Sequence, residues 1–248
     1  MHKYNIEDFT EKHYEIIIKK LIDKKYKFIE YSQVKNFQDD KSVLMRHDVD
    51  FSPHRAVRLS SIEKQHNRQA TYFIMISSEF YNIFEKEIKK ILFEIIENGH
   101  SIGLHFDPTI YKINNQNDLE YWLNYEKNII EKLLQIEINV FSFHNPTSEI
   151  MKYNEFKYCG MVNTYSNYLK DNFSYCSDSN GYWRHKRMFD FIENTNDNMQ
   201  LLTHPEWWQE NEMIPRERVK RAIYGRAEKN LNRYDNLLKA HGRTNVGK

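Results

Sequence analysis

The stretch Ser42-Val43-Leu44-Met45-Arg46-His47-Asp48-Val49-Asp50 decides how this chain is read. Its first half is an apolar run, and its second half is crowded with ionisable side chains. The pattern predicts a strand over 42–49 that runs into a charged cluster. Asp48 and Asp50 are two residues apart, and the strand period of two puts them on the same side. Carboxylates that close repel, and burying them is costly unless a cation or hydrogen bonds compensate. A divalent ion meets that need. The competing reading is a pair of solvent-facing turn residues with Arg46 nearby.

Apolar runs of strand length recur downstream at 70–76, 101–105, 139–143, 160–164, 173–176 and 199–203. Between them, helical spacing occupies 53–65, 79–98 (with a break), 117–134, 186–194 and 215–240. Pro53 and Pro215 suit first helical turns, and Gly99 suits a helix end. Upstream, 13–24 reads as a helix with Tyr14, Ile17 and Leu21 on one face, and 26–31 as a strand or edge segment. Helical crossovers return the chain to the same end of a sheet, so the strands are expected to be parallel. Seven such strands favour a closed or nearly closed barrel. One domain is expected over 1–248, with a helix and strand in 1–41 packed on a barrel of 42–214 and a closing helix at 215–240.

The 248 residues suffice for one substantial core. Lys and Arg number 36 against 35 Asp and Glu, a net charge of +1 that gives no general reason to expect nucleic acid. The basic residues between Arg216 and Arg233 are interrupted by Glu217 and Glu228 and read as a solvated helix face, with a local anionic contact as the alternative. The two cysteines, Cys159 and Cys176, form no metal or disulfide pattern and suit a reducing compartment. No apolar run approaches the ~18 residues of a spanning helix, and the opening residues lack a secretory pattern. A cytoplasmic protein without stable membrane insertion is expected.

Polar residues recur where the apolar runs end: Asp48 and Asp50, then His105, His144, Asp178 and His204. In parallel α/β folds the carboxyl ends of the strands share one face, and sites are built there. Imidazole and carboxylate together suit zinc and related ions, with an open position for water. Trp207 and Trp208 beside His204 could line a sugar pocket or serve as core at the barrel mouth.

These motifs resemble those of the polysaccharide deacetylase superfamily, the NodB-homology or carbohydrate esterase family 4 group, over about residues 42–208. Within it the chain looks like a divergent cytoplasmic branch linked to surface-polysaccharide biosynthesis. His47-Asp48-Val49-Asp50 stands where the family has Thr-Phe-Asp-Asp-Gly, with Val49 separating the carboxylates. Gly99-His100-Ser101-Ile102-Gly103-Leu104-His105-Phe106-Asp107-Pro108-Thr109 stands where it has Gly-His-Glu-Ile-Gly-Asn-His-Thr-x-x-His. The resemblance implies a distorted (β/α)7 barrel, with Asp48 as catalytic base and Asp50 and His105 as metal ligands; the reverse assignment of the two aspartates stays open. Thr109 takes the place of the family's second ligand histidine, and His144 is the candidate replacement, with Asp107 or water as alternatives. His204 matches the general acid. The family's base-orienting arginine falls on Arg46 or Arg184, with Arg184 preferred for substrate contact near Asp178 and Trp183. Arg46 and Trp207 complete the expected substrate-binding set.

The implied activity is metal-dependent removal of an N-acyl group, N-acetyl first, from an amino-sugar precursor, with Asp48 as base toward water and His204 as acid toward the departing amine. The implied cofactor is a divalent metal, zinc first. The implied partner is a small-molecule or nucleotide- or lipid-linked amino sugar. Competing readings are a hydrolase of another amide or a formamide on the same scaffold, and a catalytically inactive carbohydrate-binding protein.

Overall fold

A computed structural model describes residues 5–36 and 41–247. Residues 1–4, 37–40 and 248, which the single-domain expectation also takes in, lie outside the described residues. Helix α1 (Glu11–Asp23) starts where Thr10 Oγ1 accepts from the His13 N–H, and its Tyr14, Ile17, Ile18 and Leu21 form one buried face. Strand β1 (Lys27–Phe28) pairs with the start of β2 (Ser42–Val49). There follow α2 (Pro53–Gln65), β3 (Thr71–Ile74), α3 (Lys86–Glu97), β4 (Ser101–Phe106), α4 (Gln116–Leu134) and β5 (Val140–Phe143). The chain continues through β6 (Lys157–Tyr158), β7 (Met161–Asn163), α5 (Asn167–Asn172), β8 (Ser174–Ser177), α6 (Met188–Asn194), β9 (Met199–Thr203) and α7 (Pro215–Ala240).

The sheet runs β6-β7-β5-β4-β3-β2-β9-β8, with β1 beside β2. Pairing is parallel throughout except between β6 and β7. All seven expected strands are present, and the sheet curls into a distorted (β/α) barrel flanked by helices. The barrel is open: β7 and β8 follow one another through α5 yet do not pair among the described residues. At that opening β7 is only three residues long, and Tyr175 of β8 is exposed.

The period of two in β2 divides the protein into two cores. Val43, Met45 and Val49 pack under the helices, while Leu44 joins Phe73, Val140 and Val162 inside the barrel. Arg46 and Asp48 share the inner face with Leu44; His47 faces the helices. Gly103 on β4 is required inside, since a Cβ there would lie 2.6 Å from two ring carbons of Phe73.

Helix α3 begins at Lys86 rather than at 79. The preceding segment is committed elsewhere: Ser78 Oγ donates to the Asp50 carbonyl (2.7 Å), and the Tyr81 hydroxyl donates to the Val49 carbonyl (2.8 Å). These bonds satisfy backbone acceptors where β2 leaves the sheet, and they brace Asp50. Among the described residues, no helix is long and apolar enough to cross a membrane.

Candidate metal centre

Three side chains converge at the carboxyl end of the barrel. Asp50 follows β2, His105 lies on β4, and His144 follows β5. His105 pairs in register with Ser142, and the His144 N–H extends the ladder to the Phe106 carbonyl at 2.8 Å. His144 therefore shares the inward face of Ser142, one strand over from His105. Asp50 Oδ1 lies 3.1 Å from His105 Nε2 and 3.5 Å from His144 Nδ1, and the two imidazole nitrogens are 3.2 Å apart. Ligand bonds of about 2.0–2.1 Å around a tetrahedral ion separate neighbouring donors by about 3.3 Å. The triangle already has that size.

Asp50 Oδ1 is buried and has no hydrogen-bond partner. An orphaned buried carboxylate oxygen facing two imidazole nitrogens fits a divalent cation and is otherwise costly. The electrostatics agree. Burial would raise the Asp50 carboxyl, but His105 and His144 override it and the group sits far below the usual carboxylate range. Burial would lower the His144 imidazole, and Asp50 overrides that too, moving it up. The cluster is a place where positive charge is stabilised.

The ring orientations have physical causes. With its proton on Nδ1, His105 donates to Ser142 Oγ (2.6 Å), Ser142 donates to Asp48 Oδ1 (3.4 Å), and Nε2 keeps its lone pair for the cluster. His144 Nε2 lies 2.9 Å from the side-chain nitrogen assigned to Asn145. For Nδ1 to ligate, Nε2 must carry the proton and Asn145 must present its oxygen instead, an amide flip.

Asp48 sits beside the cluster, buried and held in a fork by Arg46. Nε reaches Oδ1 at 2.8 Å and Nη2 reaches Oδ2 at 2.7 Å. Arg46 is itself fully buried, stacked over Tyr165 at 4.9 Å and bonded to its hydroxyl at 3.2 Å. Burial would push the Asp48 carboxyl up, but the Arg46 guanidinium prevails and holds it below its ordinary value.

His204 closes the other side, with Nε2 3.9 Å from Asp50 Oδ2. Asp178 fixes it through Oδ1, 2.5 Å from Nδ1, and through Oδ2, which accepts from the His204 backbone N–H (3.0 Å) and from Trp208 Nε1 (3.0 Å). Burial disfavours the imidazolium, yet the Asp178 carboxylate overrides it and holds the pKa well above the ordinary histidine value.

The other expected residues lie as follows. Asp178 turns both oxygens on His204 and Trp208. Trp183 donates to Asp8 at 2.8 Å and stacks on Phe9 at 4.8 Å, which ties it to the N-terminal segment. Arg184 is exposed. Trp207 is buried against Phe51, ring centroids 5.2 Å apart. Thr109 is exposed and bonded to Asp107, whose carboxylate caps the turn after β4. Neither enters the cluster.

Sequence reasoning passed over Ser142, Tyr165 and Glu206. Glu206 is buried with both carboxylate oxygens unpartnered, and burial together with the nearby Asp50 raises it well above the usual range. A cavity of about 840 Å3 opens beside the centre, reaching Phe51 and Glu206 but none of the cluster side chains.

No family model matches the chain, and no curated protein does. Among solved structures, the chain is similar to a CE4 family pseudoenzyme from Bacillus anthracis, at 15% identity and TM-score 0.44, covering 68% of this chain and 56% of that one. A mutant of that pseudoenzyme with restored enzymatic activity aligns at 14% identity and TM-score 0.46, over 78% of this chain and 65% of that one. A Streptococcus pyogenes deacetylase in complex with acetate aligns at 12% identity and TM-score 0.44, over 86% of each chain. The chain thus spans 56% and 65% of the lengths of the first two.

Proposed function

We propose that the protein is a metal-dependent hydrolase that removes an N-acyl group, acetyl first, from an amino-sugar precursor. One observation carries the reading: the orphaned Asp50 Oδ1 facing His105 Nε2 and His144 Nδ1 at tetrahedral-ligand separations. Asp50, His105 and His144 would hold the ion, with zinc the first choice for this donor set. A divalent ion held there supplies Lewis acidity toward an acyl oxygen and acidifies water.

The residues around it supply the proton transfers. Arg46 keeps Asp48 ionised and fixed in orientation; its fork and Ser142 leave Oδ2 with lone-pair capacity to take a proton from an attacking water. His204, kept protonated and oriented by Asp178, can donate from Nε2 to the departing amine, a leaving group too basic to depart unprotonated. Asp178 is a positioning residue in this scheme, as is Arg46. Phe51 and Phe80 in the adjoining cavity offer apolar faces that suit a sugar ring.

The test is acetate release by metal-loaded enzyme from a panel of N-acetylated sugars, free and nucleotide- or lipid-linked. Release that disappears in Asp50→Ala is expected. Hydrolysis confined to a non-sugar amide or a formamide, or no hydrolysis of any member, contradicts the proposal.

A further inference from the structure

Helix α7 is oriented against the usual amphipathic rule. Ile223, Tyr224, Leu231 and Tyr234 face solvent, whereas Arg218, Arg221, Arg226, Lys229 and Arg233 line the groove against the start of α2. Part of that cationic face is neutralised by the protein: Arg226 pairs with Glu85 and Lys229 with Glu87. Across the groove, Arg55 and Arg58 share Glu11. No carboxylate pairs with Arg218, Arg221 or Arg233 among the described residues. Arg221 donates at 2.7 Å to the neutral Gln209 side chain.

Arg218 is the decisive residue. It is 1% exposed, it lines the groove, and its only side-chain hydrogen bond among the described residues is a long one of 3.4 Å from Nη1 to the Gly181 carbonyl. Nε and Nη2 have no partner. Its guanidinium lies over the Phe9 ring at 5.1 Å and feels the Asp178 charge without pairing to it, and burial outweighs that attraction and pushes the group down to about 10. Two adjacent free N–H groups on one guanidinium form the fork that matches two oxygens of a phosphoryl group. Ser52, Pro53 and His54 bring the N-terminal end of the 13-residue α2 to the same groove, adding the positive end of a helix dipole. Glu206 also lines the groove, on the side of Asp50 and His204, whose charges it feels.

We infer that this groove binds the diphosphate of the substrate, a reading that rests on the proposed sugar hydrolase. Arg218 and Arg221 are three residues apart on α7 and neither has a carboxylate partner among the described residues, so the two guanidiniums are neighbours that one diphosphate, with oxygens on two linked phosphoryl groups, can meet together. A cavity of about 840 Å3 suits a small ligand. Because the groove reaches Phe51 and Glu206, a sugar attached to a diphosphate bound there extends toward Asp50 and His204.

The experiment is calorimetric titration of the metal-loaded full chain with pyrophosphate, a nucleoside diphosphate, and an isoprenyl diphosphate in detergent. Wild type is expected to bind pyrophosphate, and Arg218→Gln to weaken it by about tenfold or more. The single variant Arg221→Gln leaves the buried Arg218 in place and keeps the test valid if Arg218→Gln does not fold. Arg216→Gln, exposed and outside the groove, leaves binding unchanged. Tighter binding of the nucleotide than of pyrophosphate assigns a nucleotide-linked substrate, and tighter binding of the isoprenyl ligand a lipid-linked one; both support the site. Diphosphate also ligates metals, so the titration is repeated in Asp50→Ala, where groove binding persists. The inference is overturned if none of the three ligands binds, if the arginine variants bind as wild type does, or if binding vanishes only in Asp50→Ala. Acetate release from an uncharged N-acetylated sugar separates the two proposals: release without diphosphate binding removes this site and leaves the hydrolase, and binding without release does the reverse.

Discussion

Strand β2 separates two constellations of carboxylate and imidazole, one against each of its faces, and the two differ in one respect. On the helix side, Glu63 accepts from the Tyr14 hydroxyl (2.6 Å), the Tyr72 hydroxyl (2.6 Å) and His47 (2.9 Å), while Thr203 Oγ1 meets the other nitrogen of His47 at 2.6 Å. Neither Glu63 oxygen is left without a partner. On the barrel side, Asp50 Oδ1 is buried and unpartnered between two imidazoles at the open rim of the strands. The same residue types thus form a closed structural network on one face and an incomplete one on the other. What marks the site is a buried carboxylate oxygen without a hydrogen-bond partner, rather than the presence of histidine and carboxylate.

The largest effect that could break this comparison lies at Asp48. Asp48→Ala removes the proposed base and strands the buried Arg46 guanidinium. Activity should fall by about 10²–10⁴-fold, and stability by about 3–5 kcal/mol, read by kinetics and by denaturant melts. Retention of both would detach Arg46 and Asp48 from the site. Next comes Glu63→Ala, which orphans the buried Tyr72 hydroxyl and leaves the Tyr14 hydroxyl with only His47 Nε2, at 3.2 Å. It should cost about 3 kcal/mol in stability while leaving metal content and turnover near wild type below its melting temperature. Lost metal binding in the folded variant would show the two faces to be one functional unit.

Ser142→Ala sharpens the barrel side. It removes the acceptor that holds the His105 proton on Nδ1, so metal affinity should drop by about 10–100-fold with little change in melting temperature. An unchanged affinity would mean the tautomer is set in another way. The smallest effect concerns a carboxylate with no imidazole at all. Glu126 accepts one bond from Tyr111 (2.7 Å), keeps Oε2 unpartnered, and is pushed by burial up to about 7. The folded state therefore holds its proton between about pH 4.5 and 7 while the unfolded state has released it. Stability from this group is present below pH 4.5 and is lost as pH rises through 7. Glu126→Gln should flatten that slope and raise stability at pH 8 by on the order of 1 kcal/mol, measured by denaturation across pH.

The fold was largely legible because its strands are continuous apolar runs, which is how strands buried on both faces read. The two-residue β6 and the short polar α5 carry too little periodicity to stand out. The start of α3 was hidden because Ser78 and Tyr81 are drawn to the end of β2 by hydrogen bonds that no local pattern announces. Barrel closure depends on which edges pair, and β7 and β8 stay apart. In the site, strand-end position alone brought Asp50, His105, His144 and His204 together. Ser142 and Tyr165 were invisible because a hydroxyl acquires its role only from strand register and inward direction. Trp183 and Arg184 follow Asp178 closely in sequence, and that proximity gives no cue that the Trp183 indole is taken by Asp8, far away along the chain.

The central claim is that Asp50, His105 and His144 hold one divalent ion. Elemental analysis of protein equilibrated with zinc and then desalted tests it most directly. One equivalent is predicted in wild type and in a folded Glu63→Gln variant, and none in Asp50→Ala or His144→Ala. A wild-type protein that retains no ion, or a folded His144→Ala variant that retains a full equivalent, would contradict it.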